Sequence, residues 1–147
     1  MPLAYHQLII ERTLITAPPD ELFADWQWLI EQTPDPVQYT ACGDAMLRLS
    51  DGKIAHLDTY LGTLKVVAQN YTNWQSVQED PERMERLYHV KLVEQLLAAS
   101  VTRKPEECFS PRTPLVLGGS WEPANFSAFD FTVHVSIQGQ IHAQQKG

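Results

Sequence analysis

The sequence predicts a single α+β domain spanning residues 1–147, in which a small antiparallel β-meander packs against several helices. Three observations predict this fold class. The length of 147 residues fits one domain of ordinary size. Apolar residues recur at helical spacing in two stretches, and short strand-like runs with glycine-containing turns lie between them. A chain of this length buries about 68–70% of the surface that its unfolded form exposes, so a hydrophobic core alone can stabilise it.

The first helix is predicted over residues 19–30. Pro18 and Pro19 suit a helix start, and Asp20 and Glu21 suit the positive end of the helix dipole. The apolar residues that follow recur at steps of three and four, which predicts one buried face: Leu22, Phe23, Trp26, Leu29 and Ile30. Pro34 then ends the pattern.

The meander is predicted over residues 37–69. Ser50-Asp51-Gly52 lies between two apolar runs, and an Asp-Gly pair in that position is a strong hairpin signal. A further strand is predicted at residues 63–68, which gives three or four strands in all.

Helices follow the meander. Asn70 is predicted to cap a short helix, and Asp80 to cap a long helix that ends at about Ala99. Proline and glycine mark residues 101–125 as a long ordered loop with a short strand at residues 115–117. Alternating apolar residues from Phe129 predict a strand up to about Val135, and the pattern leaves residues 136–144 open between strand and helix.

Charge and composition exclude several functional classes. The net charge is −7, and residues 1–62 carry nine acidic and three basic side chains, against nine and eight in residues 63–147. This balance argues against direct binding of nucleic acid, which needs a basic face, and is compatible with a basic protein partner.

We predict no membrane span, no secretory signal in residues 1–12, and therefore a cytoplasmic location. The two cysteines, Cys42 and Cys108, are predicted to be buried free thiols.

Candidate catalytic residues are few. His56 and Asp58 share one face of a predicted strand, Asp44 is placed to approach them across the meander, and His134 and His142 would share one face of a helix. A histidine beside a carboxylate can act as a general base. However, the sequence has no GxSxG turn, no HExxH and no P-loop. We therefore predict no catalytic, metal or cofactor site, with an enzyme or metal-binding protein as the alternative.

Two groups of residues occur in an order typical of one known family. They are residues 43–44, 50–54, 56–59 and 62–64, followed by residues 114–119, 125 and 133–142. In this series the chain resembles the family built on the C-terminal domain of the Tdi-type immunity protein of type VI secretion. The resemblance covers residues 17–144. The meander with its Asp-Gly hairpin is also similar, more loosely, to the SUKH immunity superfamily.

The resemblance implies a protein-binding domain without catalytic activity, associated in that family with neutralising a DNase effector. A basic toxin is then the expected partner. The candidate contacts are the acidic side chains of the first helix and the turns, together with one exposed aromatic residue: Asp20, Glu21, Asp25, Asp44, Asp51, Asp58 and Trp121. A third hypothesis is a homodimeric scaffold in which an edge strand pairs between subunits.

Overall fold

The computed structural model describes residues 3–146 and shows an α+β fold, as predicted. Two antiparallel sheets are accompanied by six helices. The strands are β1 (Ile9–Ile10), β2 (Pro36–Thr40), β3 (Ala45–Arg48), β4 (Ile54–Asp58), β5 (Thr63–Ala68), β6 (Glu107–Pro111) and β7 (Phe126–Asp130). The helices are α1 (Tyr5–Leu8), α2 (Pro19–Leu22), α3 (Tyr71–Val77), α4 (Pro81–Tyr88), α5 (Val90–Ala98) and α6 (Phe131–Lys146).

The larger sheet is the predicted meander, with strand order β1-β2-β3-β4-β5. The Asp-Gly hairpin is confirmed between β3 and β4, where the backbone N–H of Leu49 donates to the Lys53 carbonyl at 2.8 Å. Gly52 has φ +89°, a conformation that glycine tolerates and this turn requires. The sequence pattern did not predict β1, because a strand of two residues has no detectable alternation.

The larger sheet is buried on both faces, which gives three layers. Along β3, Met46 packs into one core cluster, whereas Ala45 and Leu47 pack into the other. Helices α3, α4 and α5 cover the Met46 face, while α2 and α6 cover the opposite face. Cys42 and Cys108 are free and buried, as predicted. Among residues 3–146, no helix combines the length and apolar character needed to cross a bilayer.

Two predicted helices are shorter than expected. The helix predicted over residues 19–30 is α2 followed by a 3-10 turn at Ala24–Trp26. Four of the five residues of its predicted apolar face are buried, and Leu29 is half-buried. Asn70 and Asp80 cap α3 and α4, accepting from the backbone N–H of Asn73 and Glu82. The long helix expected after Asp80 is interrupted at His89, whose φ of 52° separates α4 from α5. A left-handed residue cannot continue a right-handed helix.

The predictions for the second half were wrong in two places. The expected loop contains β6, which pairs with β7, and Leu115–Leu117 forms a 3-10 turn instead of a strand. The strand predicted to Val135 ends at Asp130, where α6 begins. The Asp130 carboxylate accepts from the backbone N–H of Val133 at 2.9 Å and thereby caps the helix. Residues 136–144, which the pattern left open, are helical.

Candidate functional site

A buried carboxylate lies at the centre of the polar interior. Asp44 follows the turn between β2 and β3 and is 0% exposed. One carboxylate oxygen accepts from His56 Nε2 at 2.8 Å, and the other accepts from the Thr59 backbone N–H at 2.9 Å and its hydroxyl at 2.8 Å. Burying an unpaired carboxylate is costly, so these donors stabilise the ionised form.

Asp44 and His56 form a buried ion pair. Burial alone would raise the pKa of Asp44, but the hydrogen bond and charge of His56, the charge of His89 and the Thr59 backbone N–H together lower it. Burial would likewise lower the pKa of His56, but the hydrogen bond and charge of Asp44 raise it. The carboxylate therefore stays ionised, and the imidazole beside it favours the protonated form.

The side chain of His134 is held between two hydroxyl groups. Its Nδ1 lies 2.7 Å from Ser110 Oγ, and its Nε2 lies 3.0 Å from Thr59 Oγ1. The Thr59 hydroxyl has one proton, and both groups that take it, the Asp44 carboxylate at 2.8 Å and the Gly43 carbonyl at 3.1 Å, can only accept, so the hydroxyl accepts from His134 Nε2–H. His134 Nδ1 then accepts from the Ser110 hydroxyl. Burial lowers the pKa of His134 to about 4, and the charge of Asp44 and a hydrogen bond to the Gly43 backbone only partly offset this, so the neutral ring required by these bonds is the favoured form.

His142, two turns further along α6, joins the same network. Its Nε2 donates to the Thr59 carbonyl at 2.9 Å. Both α6 histidines lie against glycines with positive φ. A Cβ at Gly43 (φ +90°) would overlap the His134 ring, and one at Gly62 (φ +71°) would lie 2.6 Å from His142 Nδ1. The glycines near the meander and the distant histidines are therefore parts of one packing arrangement around Thr59.

His89 connects the buried pair to the surface. Its Nε2 is 3.9 Å from an Asp44 oxygen. This nitrogen atom is buried and has no hydrogen-bond partner among the described residues. The ring stacks on Trp121, with centroids 4.8 Å apart. Trp121 also contacts Tyr60 and Phe126, yet it remains 43% exposed. It is thus the accessible end of an aromatic cluster that is held in place before any partner binds.

The four residues of the alternative enzyme or metal hypothesis do not form a metal site. His56 is bonded to Asp44, while His134 and His142 both contact Thr59. Asp58 accepts from the backbone N–H groups of residues 60 and 61, and burial, with the charge of Asp44, raises its pKa. Within residues 3–146, no group of three or more histidine, cysteine, aspartate or glutamate side chains is placed to bind a metal ion.

The candidate partner contacts differ in accessibility. Asp20, Glu21 and Asp51 are exposed, whereas Asp25 is half-buried and accepts from the Ser136 hydroxyl at 2.6 Å. Asp58 is half-buried in its turn, and Trp121 is exposed. Asp44 has no accessible surface and cannot touch a partner in this conformation. Its expected role as a contact is corrected here: the charge of Asp44 is neutralised inside the domain.

Three residues of the network were missed by sequence reasoning. Thr59 directly follows the His56-Leu57-Asp58 run, so the sequence places it near the candidate site, but a threonine there does not by itself indicate a role in a polar network. Ser110 lies on β6, which the pattern read as loop. His89 lies in what looked like the middle of a continuous helix.

The fold and this network define an α+β domain whose buried polar side chains bond mainly to one another. The family model described as "T6SS immunity protein Tdi1, C-terminal" matches residues 68–142, slightly more than half of the chain. The chain therefore belongs to this family of type VI secretion immunity proteins. No curated protein matches the chain. The matched segment includes His89, Ser110, Trp121 and the two α6 histidines, while Asp44 and His56 precede it. The looser similarity to the SUKH superfamily stays a prediction.

Proposed function

We propose that this chain acts as one immunity domain that neutralises a type VI secretion DNase effector by binding it, without chemistry on the toxin. The observation that carries the proposal is the family match over residues 68–142. Binding alone is sufficient for such a role, because a partner that covers the active site or the DNA-binding face of a nuclease prevents cleavage. A cytoplasmic location would place the protein where an incoming DNase acts.

The charge distribution supports a basic partner. Asp20 and Glu21 are exposed on α2, and Asp25 lies on the 3-10 turn that follows it. These residues belong to the part of the sequence, residues 1–62, that carries most of the net negative charge. A DNase needs a cationic face to hold its substrate. Complementary charge would accelerate the encounter and orient the two proteins.

Trp121 is the proposed anchor of the interface. Aromatic side chains that are fixed before binding contribute large contact area at a small entropic cost, and tryptophan is enriched among the residues that dominate binding energy. The stacking on His89 and the contact with Tyr60 fix the Trp121 ring in this way. Trp121→Ala is expected to weaken toxin binding by about 2 kcal/mol or more, a typical value for such anchors.

Co-expression tests the proposal. Candidate effectors, taken from the reading frames next to this chain's gene, are each expressed with and without the wild-type protein, and survival of the cells is measured. We expect protection by the wild type, reduced protection by Trp121→Ala, and reduced protection by Asp20→Lys/Glu21→Lys. The matched control is Glu79→Lys/Glu94→Lys, which makes the same charge change at exposed positions, one after α3 and one on α5. Equal killing with and without the wild-type protein would overturn the proposal.

A further inference from the structure

A cleft separates the β6–β7 hairpin from the first two turns of α6. Its volume is about 410 Å³, the size of a small-molecule site. Its walls are mostly apolar and are formed by Pro111, Pro114, Phe129 and Ile137. Four polar residues border it, namely Ser110, Ser127, His134 and Gln138, and exposed Arg112 also borders it.

The Ser110 hydroxyl is oriented towards a base. It donates to His134 Nδ1 at 2.7 Å, which leaves Nε2–H to donate to Thr59, whose hydroxyl donates in turn to Asp44. A nucleophile within hydrogen-bond distance of a base, with the base oriented by a third group, is the arrangement on which nucleophilic catalysis depends. Here the third group is a threonine that links the base to a buried carboxylate.

Gln138 supplies a further polar group. It is only 3% exposed, and the residue borders the same cleft one helical turn after His134. A side-chain amide beside a reacting carbonyl can donate to the oxygen on which negative charge develops. The cleft thus contains a nucleophile, a base and a neutral donor.

We propose that Ser110 and His134 form a nucleophile–base pair for acyl transfer, acting on small esters whose acyl group is apolar. The apolar walls would hold the acyl group, and Arg112 would favour an ester whose alcohol portion carries a negative charge. This activity is separate from toxin neutralisation, which rests on binding at other residues.

The reaction conserves atoms and charge. Ser110 Oγ bonds to the ester carbonyl carbon while its proton moves to His134 Nδ1. The tetrahedral intermediate then collapses, the carbon–oxygen bond of the leaving alcohol breaks, and that oxygen takes the proton from Nδ1. A water molecule next attacks the acyl-serine and passes one proton to Nδ1. Release of the acid returns that proton to Ser110 and restores the starting state.

The burial of His134 determines how the activity should be measured. The ring is neutral, as a base must be, over the whole range above its pKa of about 4. The same burial makes it a weak base, so turnover is slow and covalent capture of the serine is the more sensitive assay. The rate of capture should be constant from pH 8 to pH 5.5 and should fall near pH 4.

A fluorophosphonate probe tests the proposal on the full-length protein. Intact mass spectrometry is expected to show one adduct, and peptide mapping to place it at Ser110. Ser110→Ala should abolish it, whereas Ser127→Ala, which changes the other serine bordering the cleft, should label as the wild type. His134→Gln should slow labelling by about 10²-fold or more. Circular dichroism identifies any variant that has lost its fold.

Two outcomes would overturn the proposal: no adduct on the folded wild-type protein at saturating probe, or an adduct that persists in Ser110→Ala. Hydrolysis of p-nitrophenyl butyrate gives a second readout, in which wild-type activity must exceed that of Ser110→Ala. The Ser110→Ala variant should protect cells from the toxin as well as the wild type does. A failure of labelling would therefore leave the immunity function standing, and a failure of protection would leave the serine chemistry standing.

Discussion

Acidification should destabilise the domain through His134. The residue is 1% exposed, and burial lowers the pKa of its imidazole from 6.5 to about 4. A histidine with a depressed folded-state pKa contributes stability that is fully present above the unfolded pKa and is lost as the pH falls towards the folded pKa. The pH window is therefore from about 6.5 down to about 4.

The magnitude follows from the same two pKa values. At about 1.36 kcal/mol per pH unit, protonation of His134 in the unfolded state lowers the free energy of unfolding by roughly 3 kcal/mol between pH 7 and pH 4. A domain of this kind is stable by about 5–15 kcal/mol, so the change is readily measured. His56 and Asp58 act in the opposite direction in parts of the range, because the folded state raises the pKa of each. Asp44, whose folded pKa is lowered, loses its contribution only below the unfolded pKa of about 3.9.

Urea denaturation at pH 7, 6, 5 and 4.5 measures the effect, and His134→Gln isolates it. The glutamine removes the titrating group while retaining an amide that can bond to Ser110 or Thr59. The other titrating groups are common to both proteins, so the difference between their curves reports His134. We expect the wild-type protein to lose roughly 2–3 kcal/mol more than the variant between pH 7 and pH 4.5. Parallel curves would refute the reasoning that His134 is buried in its neutral form.

Three further predictions concern packing and burial. Gly43→Ala should lower the free energy of unfolding by about 3 kcal/mol in urea denaturation, because the added Cβ sits at a positive φ and overlaps the His134 ring. The control is Gly52→Ala, which has the same φ but open space around it and should lower that free energy by only about 1 kcal/mol. Arg103 donates to backbone carbonyls of the N-terminal segment and of β6, so Arg103→Ala should lower the free energy of unfolding by about 2 kcal/mol. The control Arg86→Ala removes an exposed arginine and should lower it by less than about 0.5 kcal/mol. An equal loss of stability in both variants would contradict this prediction. Cys42 and Cys108 are buried, which raises the pKa of each thiol, so a disulfide reagent at pH 8 should modify neither in the native protein and both after unfolding.

Local signals in the sequence predicted much of the fold. The Asp-Gly hairpin, the Asn70 and Asp80 caps and the apolar face around Trp26 each depend on residues close together in the chain, and each is confirmed. The errors arise where distant contacts decide the outcome. Apolar residues alternate from Phe129, but Phe131 and Val135 face the core at helical spacing, whereas Val133 and Ile137 remain about 40% exposed.

The candidate site was predictable only in part. The approach of Asp44 to His56 followed from the meander and is confirmed at 2.8 Å. The link from Thr59 to His134 and on to Ser110 joins the turn after β4, helix α6 and strand β6, and no sequence spacing indicates it. Gly43 and Gly62 make room for the rings of His134 and His142, and no local pattern indicates this role because the histidines lie 80 or more residues further along the chain.

Inhibition of a purified effector nuclease tests neutralisation by binding outside the cell. Candidate effectors, purified from the reading frames next to this chain's gene, are each mixed with linear DNA and increasing amounts of the protein, and cleavage is followed at low and at physiological salt. The account predicts that cleavage stops when the protein reaches a molar amount similar to that of the nuclease, and that more Trp121→Ala protein than wild type is needed. Full cleavage in the presence of a large excess of folded wild-type protein would contradict the claim that this chain neutralises its toxin by binding.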